Sequence, residues 1–545
     1  MKIILAEKVS PATLAVFREQ SDWQILTADQ VEGRLPQELA DADALIVRSA
    51  VKVNAALLDH ANKLRVIGRA GIGVDNIDLE AATRKGIAVM NTPGANATAV
   101  AEHTLGLMLS LARHLPRANE LTRSGKWEKK TLEGTELRGK VLGIVGLGRI
   151  GMEVARRARA FGMTCIAHDP FVSPDIAREH GVELRNVDDV LAAADYLSLH
   201  LALTPQTHGF VNAVAIAKMK KGVRILNCAR GELIDEKALA EGITSGHIGG
   251  AALDVFPQEP PKDSPLLKLD NVIATPHIAG STKEAQEAVG VQIAQQVKEY
   301  LARGVIQNAV NVPSVSYEEY VEMQPFLMLA ERLGAFLVQA VGQECCVREI
   351  SLRYKGRIAN WKTQLLRNAA TMGVLHSMLA EEANLVNAEA IAESRGIRVK
   401  ESAKDKASGA AGDVISITLK TETGDHAAAG TVLHGTSPRL LQFQGIDIEA
   451  PLERDLLFLR NKDIPGVVGR VGTILGEHQV NIANFSLGRA DIQNRAPSAA
   501  AHQAVVVVQV DSRVSEEALA ELRKIPAVTV AKAIQLSWTV ATNPS

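Results

Sequence analysis

The stretch Lys140-Val-Leu-Gly-Ile-Val-Gly146-Leu-Gly148-Arg149-Ile150-Gly151 constrains this chain more than any other. A short apolar run suited to a buried strand feeds three glycines at G-x-G-x-x-G spacing, and residues 152–160 then read as a helix. In that order Gly146 permits the tight turn and Gly148 lets backbone amides approach a pyrophosphate. Gly151 lets the helix pack on the strand with its N-terminus aimed at the phosphates. The next strand-like run, 163–168, ends in Asp169, about twenty residues beyond the last glycine. A carboxylate there is placed for ribose hydroxyls and repels a 2′-phosphate, so the expected cofactor is NAD rather than NADP.

A chain of 545 residues is too long for one hydrophobic core. Residues 2–6, 43–47, 64–68 and 87–91 read as buried parallel strands, with helices over 11–20 and 54–61 between them. Residues 96–115 form a helix apolar nearly all round, which has to be buried between layers or subunits. Strands over 140–145, 164–167, 196–201, 224–227, 250–253 and 271–274 make a second α/β unit, and a long helix over 281–303 leads the chain back to the first. After Pro313 helices (330–339, 362–381) mix with strands (349–354, 414–419), and 403–412 reads as an exposed loop. From about residue 453 the order strand, helix, strand, strand, helix, strand is a ferredoxin-like split βαβ.

The expected fold is therefore α/β, with two doubly wound parallel-sheet lobes. A flavodoxin-like substrate lobe spans 1–95 plus 285–312, and a Rossmann nucleotide-binding domain spans 96–284. An α+β domain over 318–450 and the ferredoxin-like module over 453–538 follow.

A formal net charge of −2 offers no global field for nucleic acid or an anionic membrane, so phosphate binding has to come from a few placed arginines. No run approaches the ~20 apolar residues that span a bilayer. The start Met1-Lys-Ile-Ile-Leu-Ala-Glu7 reads as a strand rather than a signal peptide. Cys165, Cys228, Cys345 and Cys346 show neither metal-ligand spacing nor a disulfide framework. A soluble, cytoplasmic protein without a metal site is expected.

Oxidising a 2-hydroxy acid needs a base for the hydroxyl proton and a cation for the carboxylate, both beside the cofactor. Arg230, in Asn227-Cys228-Ala-Arg230-Gly, follows a strand end, and a guanidinium suits a carboxylate. His277, in Ala-Thr-Pro-His277-Ile278-Ala279-Gly280, follows another, and imidazole is the natural acid–base group near neutrality. Glu259, in Asp254-Val-Phe-Pro-Gln-Glu259-Pro-Pro, is pinned in a proline-rich loop from which it holds His277 in one tautomer. Singly each is a common surface residue; in this order, after the fingerprint, they read as catalytic.

These motifs resemble the D-isomer-specific 2-hydroxyacid dehydrogenases over residues 1 to about 312. The resemblance implies Arg230, Glu259 and His277 as catalytic residues. It implies NAD contacts from Gly146, Gly148, Arg149, Ile150, Gly151, Asp169, Cys228, Asp254, His277, Ile278, Ala279 and Gly280, and from Ile72, which stands where relatives carry threonine. Val47-Arg48-Ser49-Ala50 and Gly68-Arg69-Ala70-Gly71-Ile72-Gly73-Val74-Asp75-Asn76 resemble members acting on 3-phosphoglycerate, which implies Arg48 and Arg69 as substrate arginines.

The 96–115 helix and residues 123–127 match the family's dimer contact, which implies a homodimer or homotetramer with Lys129 reaching a neighbour's substrate. Residues 320–450, including Tyr354-Lys-Gly-Arg-Ile and Ala383-Asn-Leu-Val-Asn-Ala, resemble the intervening domain of the long form. The C-terminal module resembles an ACT domain, with L-serine as implied effector at Asn461, Asp463 and Asn481; Asn461 stands where relatives carry histidine or tyrosine. The implied reaction is NAD-dependent oxidation of 3-phospho-D-glycerate to 3-phosphohydroxypyruvate, the first step of L-serine biosynthesis. Two alternatives stay open: a shorter-chain relative's chemistry on another D-2-hydroxy acid, and an NAD-sensing regulator that does not catalyse.

Overall fold

The computed structural model describes residues 1–342, 346–376, 378, 383–404, 412–422, 424–490 and 503–536. Cys345, most of the expected 403–412 loop, residues 377 and 379–381 of the expected 362–381 helix and the last two residues of the 453–538 module lie outside them.

The N-terminal sheet contains β1 (Lys2–Leu5), β2 (Gln24–Leu26), β3 (Ala44–Val47), β4 (Val66–Arg69) and β5 (Ala88–Met90). All are parallel, in the order β2-β1-β3-β4-β5, the flavodoxin order. β1 and β3 are buried at every position, as expected of strands covered on both faces. The long helix Lys283–Arg303 returns to this lobe: a β-carbon at Gly68 would lie 2.8 Å from Ile293 and 3.0 Å from Val297, so glycine lets the helix close on β4.

The nucleotide-lobe sheet contains β6 (Val141–Val145), β7 (Thr164–His168), β8 (Glu183–Leu184), β9 (Tyr196–Leu199), β10 (Val223–Asn227), β11 (Ile248–Leu253) and β12 (Val272–Ala274). Its order, β12-β11-β10-β9-β6-β7-β8, is that of a Rossmann sheet with one more strand. The order reverses between β6 and β9, and ligands of such sheets bind at the carboxyl ends of the strands beside that switch. The apolar helix Ala97–Arg113 is buried here, with Leu105, Met108 and Leu111 packed among Ile144, Leu226 and Ala252. It stops before the expected residue 115 because His114 turns left-handed (φ 50°) and starts a second helix, Leu115–Arg123.

The third sheet contains β13 (Val347–Lys355), β14 (Arg398–Lys404), β15 (Val414–Thr421), β16 (Gly424–Leu433), β17 (Ser437–Phe443) and β18 (Ile446–Pro451). Only β13 and β14 run parallel; the order is β14-β13-β15-β16-β17-β18. Helices Tyr317–Val341 and Gln364–His376 pack against one another closely enough that a β-carbon at Gly373 would meet the Glu331 carbonyl at 2.0 Å. The last sheet contains β19 (Arg454–Lys462), β20 (Ile482–Arg489), β21 (Gln503–Val510) and β22 (Val528–Leu536). It is antiparallel in the order β20-β21-β19-β22, the ferredoxin-like arrangement expected. Sequence reading missed the short edge strands β2 and β8 and the β16–β18 meander. Among the described residues no helix is long and apolar enough to cross a membrane.

Glu349 on β13 holds the strands beside it by charge. Its side chain is 3% exposed, yet its carboxylate takes Lys400 Nζ from β14 and Lys420 Nζ from β15, each at 2.9 Å, and the Ser351 hydroxyl at 3.1 Å. Lys400 and Lys420 pull its carboxyl down to about 2, from an ordinary value of 4.5. A depressed carboxyl contributes stability above its unfolded pKa and loses it as pH falls toward the folded one. Glu349→Gln should therefore melt below wild type at pH 7, and the gap should close as pH is lowered from about 4.5 toward about 2. Thermal melts across that range check it; a gap independent of pH would contradict the ion-pair account.

Candidate active site

The fingerprint turn has the geometry a dinucleotide requires. Gly146 has φ +92°, and a β-carbon there would meet the His200 carbonyl at 2.5 Å. At Gly151 a β-carbon would meet the Gly146 carbonyl at 2.3 Å, whereas at Gly148 it would face open space. The outer two glycines thus allow backbone to close on backbone, and the middle one leaves the approach clear. Helix Arg149–Ala160 follows with no side chain capping its first turn, so its amide dipoles are available to an anion. Asp169, just past β7, accepts the Leu147 and Phe171 amides, each at 2.8 Å, which ties the acidic residue to the turn it serves. The residues present fit NAD. Arg149 donates to the Pro93 carbonyl and Ile150 packs partly buried behind it.

The three expected catalytic residues leave three adjacent strands. Parallel register pairs Asn227 of β10 with Leu253 of β11, and Leu253 with Ala274 of β12, so the loops carrying Arg230, Glu259 and His277 start side by side. At Gly231 a β-carbon would lie 1.9 Å from the backbone of Phe256, which makes glycine obligatory where the Arg230 turn meets the Glu259 loop. Buried Asn227 shapes that turn, donating to the Arg230 carbonyl at 2.8 Å and accepting the Ala229 amide at 3.0 Å. The Arg230 guanidinium donates to the Ala229 carbonyl at 2.6 Å.

His277 Nδ1 lies 2.8 Å from Glu259 Oε2. A carboxylate only accepts, so Nδ1 carries the hydrogen and Nε2 is the nitrogen that can take a proton. Glu259 is itself fixed, its Oε1 accepting the Phe256 amide at 3.2 Å. His277 has φ +52°, a conformation non-glycine residues adopt only when their surroundings impose it.

Asp254 imposes it. Its carboxylate is fully buried and accepts the Ile278 amide (2.9 Å), the Ala279 amide (2.8 Å) and the Thr275 hydroxyl (2.5 Å), while its carbonyl accepts the His277 amide (2.9 Å). Burial alone would raise this carboxyl; His103, Thr275 and the two amides outweigh it and hold it below the usual range. Asp254 was expected as a cofactor contact, and the hydrogen bonds it makes here hold the His277 loop. Burial pushes the thiol of nearby Cys228 up to about 12. A β-carbon at Gly280 would come within 2.9 Å of Asn96 Nδ2, so the loop closes against the start of the apolar helix.

In the small lobe Arg69 ends β4 opposite Val47 of β3, so Arg48 and Arg69 stand at neighbouring strand ends. Arg69 curls over Gly71, where a β-carbon would collide with its guanidinium at 1.4 Å. Glu7 accepts the Arg48 (2.8 Å), Ala50 (3.3 Å) and Val51 (3.1 Å) amides, and Asn76 donates to the Arg48 and Val51 carbonyls. The Ile72 carbonyl takes the Asn91 amide group at 2.6 Å. Sequence reasoning assigned no site role to Glu7, Asn76, Asn96 or His103.

Lys129 lies 5.6 Å over the ring of Trp127, itself 76% exposed. Of the expected effector residues, Asp463 pairs with Arg489 at 3.2 Å and Asn481 donates to Asp511 at 2.6 Å. Asn461 is buried in β19, donates to the Lys462 carbonyl, and its Oδ1 has no partner among the described residues.

Comparison with known proteins agrees with this geometry. Residues 105–279 match the NAD binding domain of D-isomer specific 2-hydroxyacid dehydrogenases, 322–444 the D-3-phosphoglycerate dehydrogenase intervening domain, and 456–527 the ACT domain. The chain is 40% identical to D-3-phosphoglycerate dehydrogenase of Methanocaldococcus jannaschii over 98% of its own length and all of that protein. It is 37% identical to the Bacillus subtilis enzyme over 98% and 99%. The solved D-lactate dehydrogenase of Aquifex aeolicus with NAD and lactic acid is 29% identical at TM-score 0.51, covering 58% of this chain and all of that one. Likeness to the lactate enzyme covers 58% of this chain, whereas likeness to the phosphoglycerate enzymes covers 98%, and the chain belongs to the D-3-phosphoglycerate dehydrogenases of the D-isomer specific 2-hydroxyacid dehydrogenase family.

Proposed function

We infer that this chain oxidises 3-phospho-D-glycerate to 3-phosphohydroxypyruvate with NAD, the first step of L-serine biosynthesis. The observation that carries the reading is the Glu259–His277 pair, held on the carboxyl side of a Rossmann sheet whose fingerprint turn fits a dinucleotide. The full-length match to D-3-phosphoglycerate dehydrogenases selects among the 2-hydroxy acids.

NAD, held by the Gly146–Gly151 turn and Asp169, would supply the acceptor for the hydride on the substrate's C2. His277 Nε2 takes the hydroxyl proton as that hydride leaves, and Glu259 steadies the imidazolium that forms. Arg230 anchors the carboxylate and orients the carbon that reacts. Arg48 and Arg69 take the anionic groups of the substrate from the small lobe, where a chain of net charge −2 leaves single placed guanidinium groups to do so. Asp169 takes the ribose hydroxyls. Residues 1–95 with 285–312, 96–284, 318–450 and 453–538 act as substrate, nucleotide, intervening and ACT domains. The ACT module binds L-serine near Asp463 and Asn481, which begin and end the two loops flanking its first helix, Val467–Glu477. The working assembly is a homodimer or homotetramer.

His277→Ala should lower kcat by roughly 10²–10⁴-fold, and Glu259→Gln should lower it by a smaller factor in the same steady-state assay. Wild-type kcat in both would remove the acid–base assignment. Asp169→Ala should raise the KM for NAD by about ten- to a hundredfold, the loss of a charged hydrogen bond worth about 1.5–3 kcal/mol. It should also narrow the preference over NADP, and unchanged KM values for both cofactors would reject it. L-Serine should shift the activity or Tm of wild type and leave Asp463→Ala unmoved; no response in either protein retires the effector reading.

A further inference from the structure

We propose that His103, on helix Ala97–Arg113, is a positioning residue for the acid–base histidine, acting through Asp254 and Thr275. The proposal rests on the reading of His277 as the group that takes the substrate proton.

The hydrogen-bond inventory fixes what His103 does. Its Nε2 lies 3.2 Å from Thr275 Oγ1 and 3.4 Å from Asp254 Oδ1. Thr275 has one hydroxyl hydrogen, and it goes to Asp254 Oδ1 at 2.5 Å. Asp254, ionised, only accepts. Neither neighbour has a hydrogen left for His103, so Nε2 is the donor in both protonation states of the ring.

That donated N–H completes a buried network. Asp254 is fully buried, and beyond His103 its carboxylate is met by one hydroxyl and two backbone amides. The same carboxylate holds Ile278 and Ala279, the residues directly after His277, and the neighbouring carbonyl holds the His277 amide. His277 stays left-handed at φ +52° because this network imposes it. His103 is 22% exposed and stands behind the loop, so its contribution is to geometry rather than to contact with the reacting atoms. Removing its donor leaves the Thr275 hydroxyl and the carboxylate one partner short. The loop then relaxes, and small displacements of an acid–base group are costly to turnover.

Steady-state kinetics with NAD and 3-phosphoglycerate on His103→Gln, His103→Asn, His103→Leu and His277→Ala test this. Glutamine places an amide N–H where His103 Nε2 stands, and asparagine falls one bond short. His103→Asn and His103→Leu should lose on the order of tenfold in kcat, with both KM values within about twofold. His103→Gln should keep kcat within about twofold of wild type. Wild-type kcat in the asparagine variant, or an equal loss in the glutamine variant, overturns the proposal. If His103→Leu fails to fold, the asparagine and glutamine pair still decides. His277→Ala separates the two ideas, because wild-type turnover there sinks the acid–base reading itself, whatever the His103 variants do.

Discussion

The nucleotide lobe depends on a buried negative charge. Asp254 sits at the end of β11 with its side chain wholly out of water, where an ionised carboxylate is tolerated only if surrounded by donors. The donors it gathers are the amides of the loop that carries His277, together with Thr275 and His103. Satisfying the carboxylate and shaping the His277 loop are therefore one event. A loop that would otherwise relax out of a left-handed turn is locked because unlocking it would strand a charge in the core.

The same device, at lower cost, recurs at other strand ends. Glu7 gathers three amides of the turn after β3, and Asn76 donates to two of that turn's carbonyls, which sets the backbone that presents Arg48. Asn227 folds the turn that presents Arg230. Asn91 donates to the carbonyl of Ile72. In each case a side chain near a strand end satisfies loop backbone that the sheet cannot, so loops carrying polar chemistry stay ordered while their strands remain apolar. Glycine contributes the complementary element, letting backbone meet backbone at Gly146 with His200 and at Gly231 with Phe256.

Much of the fold was legible because its signals are local. Buried parallel strands such as β1 and β3 are unbroken apolar runs, and the G-x-G-x-x-G turn announces a strand before it and a helix after it. The ferredoxin-like order of the last module also shows in its run of periods. What failed lacked such a signal. β2 and β8 are edge strands of three and two residues, too short for any period to register. The break at His114 comes from one residue's backbone angle, after which the helix Leu115–Arg123 carries Pro116 in its first turn and no buried residue.

The sequence alone determined the lobes and the dinucleotide turn, because their signals are local, and it singled out Arg230, Glu259 and His277 as candidates through their order after that turn and the family resemblance. Tertiary structure decided which tautomer His277 holds, that Asp254 is spent on the loop rather than left open, and that Asn461 is buried in its strand. It also brought His103 to Thr275, a pair separated by 172 positions. Contacts of that kind depend on how β-strands order themselves in a sheet and on which helix crosses behind them, and no periodicity along the chain encodes either.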